Sequence, residues 1–549
     1  MAPHAASPTI EARGPGRSLG TGRGGEGQGP TGDARLGTVL ARAAAVTAAL
    51  TAAGALLGLV RDQAIAQIFG ASIDSDAFLI AWTVPEMAST LLIEDAMALL
   101  LVPAFSHALV RRTADRRRDP VRELVSATLP RLFALLACAA GLLIVGAPVV
   151  VRILAPGFAD PRLAVDCTRL TAVTVLTFGI AGYFSAALRA HGHFLPPACV
   201  YVAYNVGIIA TTLALHSLWG VRAAAAGVAV GGLLMILAQL PMFVRRVTRV
   251  RPRHTKRRGR GTTPFLGAAV LAPVILFTIS RQSQVLVERF LASSLPGGAI
   301  SHLNYAQKVA QLPMVLSLMI CTVTFPVVAR AMADGDRERA RRRVEQDLAL
   351  AGVVVLLGTA LVLGYAPQII EVLFERGAFD AQDTETTATV MRIYATGLLG
   401  HCLVGALGRP FFSTGQPTWY PAAAMAAGLV VTIAAGAAAV GRWGVYGIAA
   451  GNAAGITTTA LLLLTGLGSR VVAIRVRSIS VTLGRLAVAA AVAAVAGRLA
   501  SPLVADPLLS TAVGCLLVPT VFVLTALAVR APEVVHLLAL TRQRWRHDR

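Results

Sequence analysis

Ionisable residues set inside long apolar runs are the chemically suggestive feature of this sequence. Arg61 and Asp62 stand side by side late in the first run, and Glu94 and Asp95 lie near the middle of the second. Arg281 falls near the middle of the seventh run, Glu288 and Arg289 late in it, and Lys308 early in the eighth. A charge at bilayer depth costs at least ~2.5–3.5 kcal/mol on insertion scales and usually faces a water-filled path. All of these runs are first or second in their half of the chain, so the charges are expected to converge where the halves face each other. Excess positive charge in such a cavity suits an anionic ligand, best of all a phosphate or diphosphate. The competing reading is a set of buried ion pairs, such as Arg61–Asp62 or Lys308–Glu94, that only fix packing. Pro85, Pro103, Pro313 and Pro326 lie two apiece in the second and eighth runs, where they would kink the helix at a hinge or gate.

Enzymatic motifs are not found. The sequence has no Walker loop and no HExxH, and its six cysteines are scattered without metal or redox spacing. His191 and His193 lie two apart with no third ligand near, and read as turn residues. His401, alone within a run, reads as a packing histidine with one hydrogen-bond partner. The expectation is a non-enzyme with no cofactor and no metal.

Composition says what holds these residues. The chain has 549 residues, of which 55% are hydrophobic and only 14% charged. Soluble domains carry about 25% charged residues, so neither a soluble enzyme nor a disordered chain fits. Continuous rather than alternating apolar runs exclude an outer-membrane barrel. At about 20 residues per span, the apolar content supplies a dozen helices or slightly more. Runs at roughly 39–69, 77–109, 125–153, 164–189, 195–216, 221–244, 265–292, 299–329, 346–374, 383–411, 419–440, 444–468, 480–499 and 508–530 predict about fourteen transmembrane helices. The fold class is therefore an all-α polytopic membrane protein. A formal charge of +22 would suggest nucleic acid in a soluble protein. Here the Arg and Lys residues cluster in alternate loops, the positive-inside pattern, so no nucleic acid is expected and both termini are placed in the cytoplasm.

The chain repeats itself. "AQIFGASIDSDAFLIA" (66–81) resembles "ERFLASSLPGGAISHLNYA" (288–306), "ILAPGFAD" (153–160) resembles "VLFERGAFD" (372–380), and "LRAHGHFLPPACVYVAYNVGI" (188–208) resembles "GRPFFSTGQPTWYPAAAMAAGL" (408–429). An offset of about 220 residues spans six helices, an even number, and so predicts two parallel six-helix repeats followed by two C-terminal helices. The expected divisions are a disordered tail at 1–36, an N-terminal lobe at 37–246 and a basic linker at 247–263. They continue with a C-terminal lobe at 264–469, two extra helices at 470–530 and a basic tail at 531–549. Twin bundles of this kind enclose a cavity and work by rocking, which points to a transporter.

At this point the chain resembles the MurJ/MviN family of lipid II flippases, within the multidrug/oligosaccharidyl-lipid/polysaccharide exporter superfamily. The matching segments are "LGLVRDQAIAQIFGASIDSDAFLIAWTVP" (57–85), "LVPAFSHAL" (101–109), "APGFAD" (155–160), "LNYAQKVAQLP" (303–313), "FPVVARAMA" (325–333) and "LFERGAFDAQDT" (373–384). The resemblance runs from about residue 39 to 530. It implies a fourteen-helix fold whose last two helices form a groove for a polyprenyl tail. It also implies translocation of an undecaprenyl-diphosphate-linked peptidoglycan precursor from the inner to the outer leaflet of the bacterial cytoplasmic membrane. Arg61 and Asp62 match the family's "RD", Asp76 the Asp of its "TDAF", and Glu94 the Glu of its "FAEGAF". Elsewhere the pattern departs: Ala55, Ser89 and Thr90 stand where the family has arginines, Asp95 replaces a glycine, and Lys308 stands in for an arginine. Arg281 occupies a position that is normally small and polar. The substrate-binding set implied is thus Arg61, Asp62, Asp76, Glu94, Asp95, Arg281 and Lys308.

Three functions are compatible with these residues. The first is lipid II flipping through a rebuilt cationic site. The second is export of another polyprenyl-linked glycan or amphiphile by a divergent paralogue. The third is a non-transporting scaffold with cell-wall synthesis proteins as partners. A lipid-linked diphosphate and membrane lipids are the partners of the first two.

Overall fold

The computed structural model describes residues 31–531, apart from 115–118, 249–267, 318–335, 413–417 and 471–473. Helices, and no strands, are found among the described residues. In the N-terminal half, α1 (Thr31–Phe69) leads to α2 (Ile73–Ala88), which passes through a π-helical stretch at Ser89–Asp95 into α3 (Ala96–Ala114). Then come α4 (Pro120–Leu154), α5 (Pro161–Ala172), α6 (Thr174–Ala190), α7 (Leu195–Ala198), α8 (Val200–Trp219) and α9 (Arg222–Thr248). The C-terminal half contains α10 (Ala268–Ala292), α11 (Ala299–Ala310), α12 (Arg337–Phe374), α13 (Ala381–Thr396), α14 (Leu398–Phe412), α15 (Tyr420–Trp443) and α16 (Val445–Arg470). Helices α17 (Val476–Ala500) and α18 (Pro507–Ala528) follow. Ten described helices are long and apolar enough to cross a membrane, or eleven if α13 and the start of α14, bent by 46°, count as one span.

Most of the expected tail, 1–30, lies outside the described residues, and α1 already begins at Thr31. Nearly all of the basic linker and C-terminal tail, and Pro326, also lie outside them. Pro85 has no N–H for the Ala81 carbonyl, which accepts instead from the Thr171 hydroxyl at 3.0 Å, and the π-helical stretch begins within a turn after it. Pro313 stands just beyond the end of α11.

Local devices recur at the repeat spacing. Asp160 caps α5 by accepting from Leu163 N at 3.1 Å, and Asp380 caps α13 by accepting from Asp383 N at 2.8 Å. Gly220 and Gly444 turn the chain between α8 and α9 and between α15 and α16 with nearly the same backbone angles, φ 57° and 52°. Those two helix pairs pack closely because glycines let the backbones touch. A Cβ at Gly231 would stand 2.5 Å from the Tyr204 carbonyl, and one at Gly428 would stand 2.6 Å from the Gly455 carbonyl. Small residues at such crossings supply the close packing that drives helix association in lipid.

Helices α17 and α18 pack on α12, where Tyr365 is fully buried at a break in the helix and lies against Gly497 and Gly514. Their opposite faces expose Val495, Leu499, Leu508 and Leu516. An apolar outer face of this kind suits hydrocarbon.

Replacing Gly231 or Gly428 by Leu should lower the thermal unfolding temperature in detergent, since overpacking typically costs about 1–3 kcal/mol. Gly141→Leu, whose Cβ would meet nothing within 4 Å, should leave it unchanged.

Candidate functional site

The site is built where the first helices of each half meet. Late in α1, Arg61 and Asp62 are both buried, at 7% and 4% exposure. Arg61 Nε and Nη2 donate to Asp62 Oδ1 at 3.0 and 2.7 Å, and Nη1 donates to Asn205 Oδ1 on α8 at 3.1 Å. Asn205 is itself held by the carbonyls of Gly54 and Tyr201. The guanidinium carbon lies 4.2 Å from the centroid of the Trp82 ring, a cation–π contact that fixes its plane. From the other half, Lys308 on α11 reaches Asp62 Oδ2 at 3.0 Å. Asp62 therefore sits between two cations from different lobes, and the cluster keeps a net positive charge. Around it is a cavity of about 220 Å³ lined by Arg61, Trp82, Glu86, Tyr201, Asn205 and Lys308 among others.

Further polar crossings lie along the same boundary. Arg289 on α10, 3% exposed, donates to the Thr83 hydroxyl and to Glu86 Oε2 at 2.9 Å. Gln282 Nε2 donates to Thr90 Oγ1 in the π-helical stretch at 3.2 Å.

Towards the loop that follows α1, the boundary is latched by backbone groups. Helix α11 starts at Gly298 without a side-chain cap of its own. Asp76, from the other lobe, supplies the missing acceptor: it takes Gly298 N at 2.8 Å, Ser301 N at 2.7 Å and the Ser301 hydroxyl at 2.6 Å. A carboxylate there also meets the positive end of the helix. The equivalent helix α2 is self-capped by a Ser72–Ser75 box, so the capping is asymmetric between the halves. Gly298, at φ 94°, allows the approach; a Cβ there would stand 2.3 Å from the Ala71 carbonyl. Asp383 accepts from Ala71 N at 3.2 Å, and Ala378 N donates to the Gln67 carbonyl at 2.9 Å.

Of the residues singled out in the sequence, Arg61, Asp62 and Lys308 converge, and Lys308 pairs with Asp62. Asp76 stands apart from them, within the latch. Arg281 is exposed on α10 and makes no ion pair or hydrogen bond with the cluster. Glu94 and Asp95 end the π-helical stretch, and their side chains lie outside the described residues. Trp82, Glu86 and Asn205 were not anticipated. Glu86 carried the same signal as the others, a charge within an apolar run, whereas Trp82 and Asn205 are neutral and gave none. His401 Nε2 lies 3.2 Å from Asn452 Oδ1, the single partner expected of it.

Comparison with known proteins decides what kind of molecule holds this cluster. The family described as lipid II flippase MurJ matches residues 65–539. This chain belongs to that family. Among curated members, the lipid II flippase MurJ of Burkholderia cenocepacia is 28% identical over 78% of this chain and 84% of its own length. The probable lipid II flippase MurJ of Buchnera aphidicola (from Acyrthosiphon pisum) is 26% identical over 66% and 71%. The fold is shared with a solved lipid II flippase MurJ in an inward closed conformation, with a TM-score of 0.70, 18% identity, and coverage of 87% of this chain and 97% of that one. It is shared more distantly with an inward-facing multidrug resistance MATE family transporter of the MOP superfamily, with a TM-score of 0.61, 14% identity, and coverage of 80% and 99%. The all-α, twin-lobed membrane fold is the MurJ fold.

Removing the cross-lobe cap should open the latch. In a chain with its exposed native cysteines replaced, a cysteine at buried Ile300 should react slowly with a water-soluble maleimide. Asp76→Ala should speed that reaction by about tenfold or more, since each charge-assisted hydrogen bond contributes about 1.5–3 kcal/mol.

Proposed function

We propose that this protein is a lipid II flippase, carrying the undecaprenyl-diphosphate-linked peptidoglycan precursor from the inner to the outer leaflet of the bacterial cytoplasmic membrane. The observation that carries this reading is the meeting of Arg61 and Lys308, from opposite lobes, over one carboxylate in a central cavity, within a chain of the MurJ family. Placement of both termini in the cytoplasm follows from the basic loops. The latched end then faces outward, and the cavity is offered to the cytoplasmic side.

In this reading Asp62 is an internal placeholder. It accepts the same N–H donors that a diphosphate would take, and a substrate that replaces it on Lys308 leaves neither cation unpaired. Asp62 keeps Arg61 as its partner when the substrate takes Lys308, so no buried charge is stranded, which avoids the ~3–5 kcal/mol that such a charge costs. Lys308 then binds substrate instead of Asp62, which releases one of the ties between lobes. Arg61, fixed against Trp82 and Asn205, is the pre-set half of the site, and Lys308 is the movable half. Asp76 serves as the outer latch. Arg281, with its exposed side chain, and the Glu94–Asp95 segment belong to the inner part of the path. The apolar faces of α17 and α18 suit the polyprenyl chain, which stays in lipid while the headgroup crosses. No covalent bond is made or broken, so the protein is a carrier rather than an enzyme.

The softened cations, with Ser89, Thr90 and Lys308 in place of arginines, favour one second reading: a paralogue that exports a different polyprenyl-linked glycan. The deciding experiment is complementation in a bacterium whose own lipid II flippase can be switched off. The wild type should rescue growth. Arg61→Ala and Lys308→Ala should each lose rescue while still inserting in the membrane, and Lys308→Arg should keep it. Failure of the inserted wild type to rescue would overturn the lipid II assignment in favour of the paralogue.

A further inference from the structure

Glu288 and Arg289 are neighbours on α10 but serve different lobes. Glu288, 4% exposed, points into the C-terminal lobe, where Asn452 Nδ2 donates to it at 2.5 Å. Arg289 points the other way and crosses to Glu86. Headgroup binding does not account for Glu288, which is an acid outside the set lining the cationic cavity. A second, much smaller cavity of about 10 Å³ touches both Glu288 and Arg289 and is also lined by Asn304 and Gln307. That is room for about one water molecule. The buried Nδ2 of Asn304 has no hydrogen-bond partner among the described residues, so it stands ready to bond one.

Arg289 at this depth has to be neutralised. With the lobes together, Glu86 does this. When the lobes part, Glu86 departs with α2, and the carboxylate remaining beside Arg289 on its own helix is Glu288. We propose that Glu288 is a proton-binding site, and that Arg289 couples its occupancy to the separation of the lobes.

In the latched state Glu288 holds a proton and Arg289 is paired with Glu86. Before separation, the O–H bond of Glu288 breaks and the proton passes to water in the small cavity and on to the central cavity. The resulting carboxylate replaces Glu86 as the partner of Arg289, whose own protons stay in place throughout. Closure requires Glu288 to take a proton again, now from the outer side. One proton thus moves inward for each outward excursion, the direction in which an inward proton gradient drives export. This inference rests on the alternating-access reading and not on the identity of the cargo.

Other ionisable groups around Glu288 are few among the described residues. Tyr394 faces it from α13 and Glu86 from α2, and His401 on α14 lies beyond Asn452, with the exposed Arg281 near it. Helices α15 and α16 carry Tyr420, Arg442, Tyr446 and Arg470 only near their ends. On α11, His302, Tyr305 and Lys308 are turned to Thr387, Phe374 and Asp62. Arg152 on α4 is exposed.

The test uses the full-length chain in lipid nanodiscs, with native cysteines replaced and spin labels at the exposed positions Asp74 and Gln382, one on each lobe at the latched end. Pulsed electron resonance then reports the distance between the lobes from about pH 5 to about pH 8. The separated population should grow as pH rises, the ratio of separated to latched changing by up to about tenfold per pH unit for one proton. Glu288→Gln should remain latched at every pH, and Glu288→Asp should recover the response, which shows that the glutamine variant is not merely misfolded. A wild type insensitive to pH would overturn the proposal. So would a response that survives in Glu288→Gln, including one that is lost instead in His401→Gln. No cargo is present in this measurement, so failure of the lipid II assignment in cells leaves its outcome untouched.

Discussion

Inside a bilayer a charge must find its opposite within a few ångströms, and in this protein the opposite repeatedly belongs to the other lobe. Lys308 finds Asp62, Arg289 finds Glu86, and the bare start of α11 finds Asp76. The closely packed helix pairs within each lobe are joined differently. Between α8 and α9, and between α15 and α16, glycine-lined backbones pack without charge. Packing of that sort has no alternative partner to exchange with. Ion pairs do, because any group of the right sign serves. The molecule is therefore held firmly within its halves and conditionally between them, as a rocking carrier requires.

The two halves are copies that no longer match at their contact surface. The capping aspartates Asp160 and Asp380, and the turn glycines Gly220 and Gly444, still occupy corresponding places. At the start of the second helix of each half the match ends: α2 caps itself through Ser72 and Ser75, while α11 depends on Asp76. A helix whose first N–H groups are satisfied by a separate rigid body is most stable when the two bodies touch. Closure at that end thereby stabilises the secondary structure of α11 as well as the boundary.

Much of this was legible in the sequence, and the residues show why. An arginine or lysine within an apolar run is conspicuous, so Arg61, Asp62 and Lys308 stood out. The paired segments "APGFAD" and "ERGAFD" exposed the repeat because turns and caps tolerate few residue types. Asp76 was visible as an ionisable group, but its task was not, because its acceptor role depends on backbone N–H groups more than two hundred residues away. Trp82 and Asn205 were silent for another reason: aromatic and amide side chains are common in membrane helices, and only the position of Arg61 gives these two their meaning. Glu86 was readable and was passed over within a segment noted for the arginines it lacks.

The π-helical stretch at Ser89–Asp95 changes the phase of the helix that follows it. A π-helical insertion adds about one residue, or about 100° of rotation, to an otherwise continuous α-helix. A helical wheel drawn straight from Ile73 to Ala114 would thus misassign the faces of everything after Ser89. Residues of α3 that share a stripe with Trp82 or Glu86 on paper are turned to a different side in the folded chain. The second membrane crossing is better regarded as two cylinders placed end to end and clocked independently. One is oriented by the cationic cavity, and the other by α6, against which Phe105 lies edge-on to Tyr183.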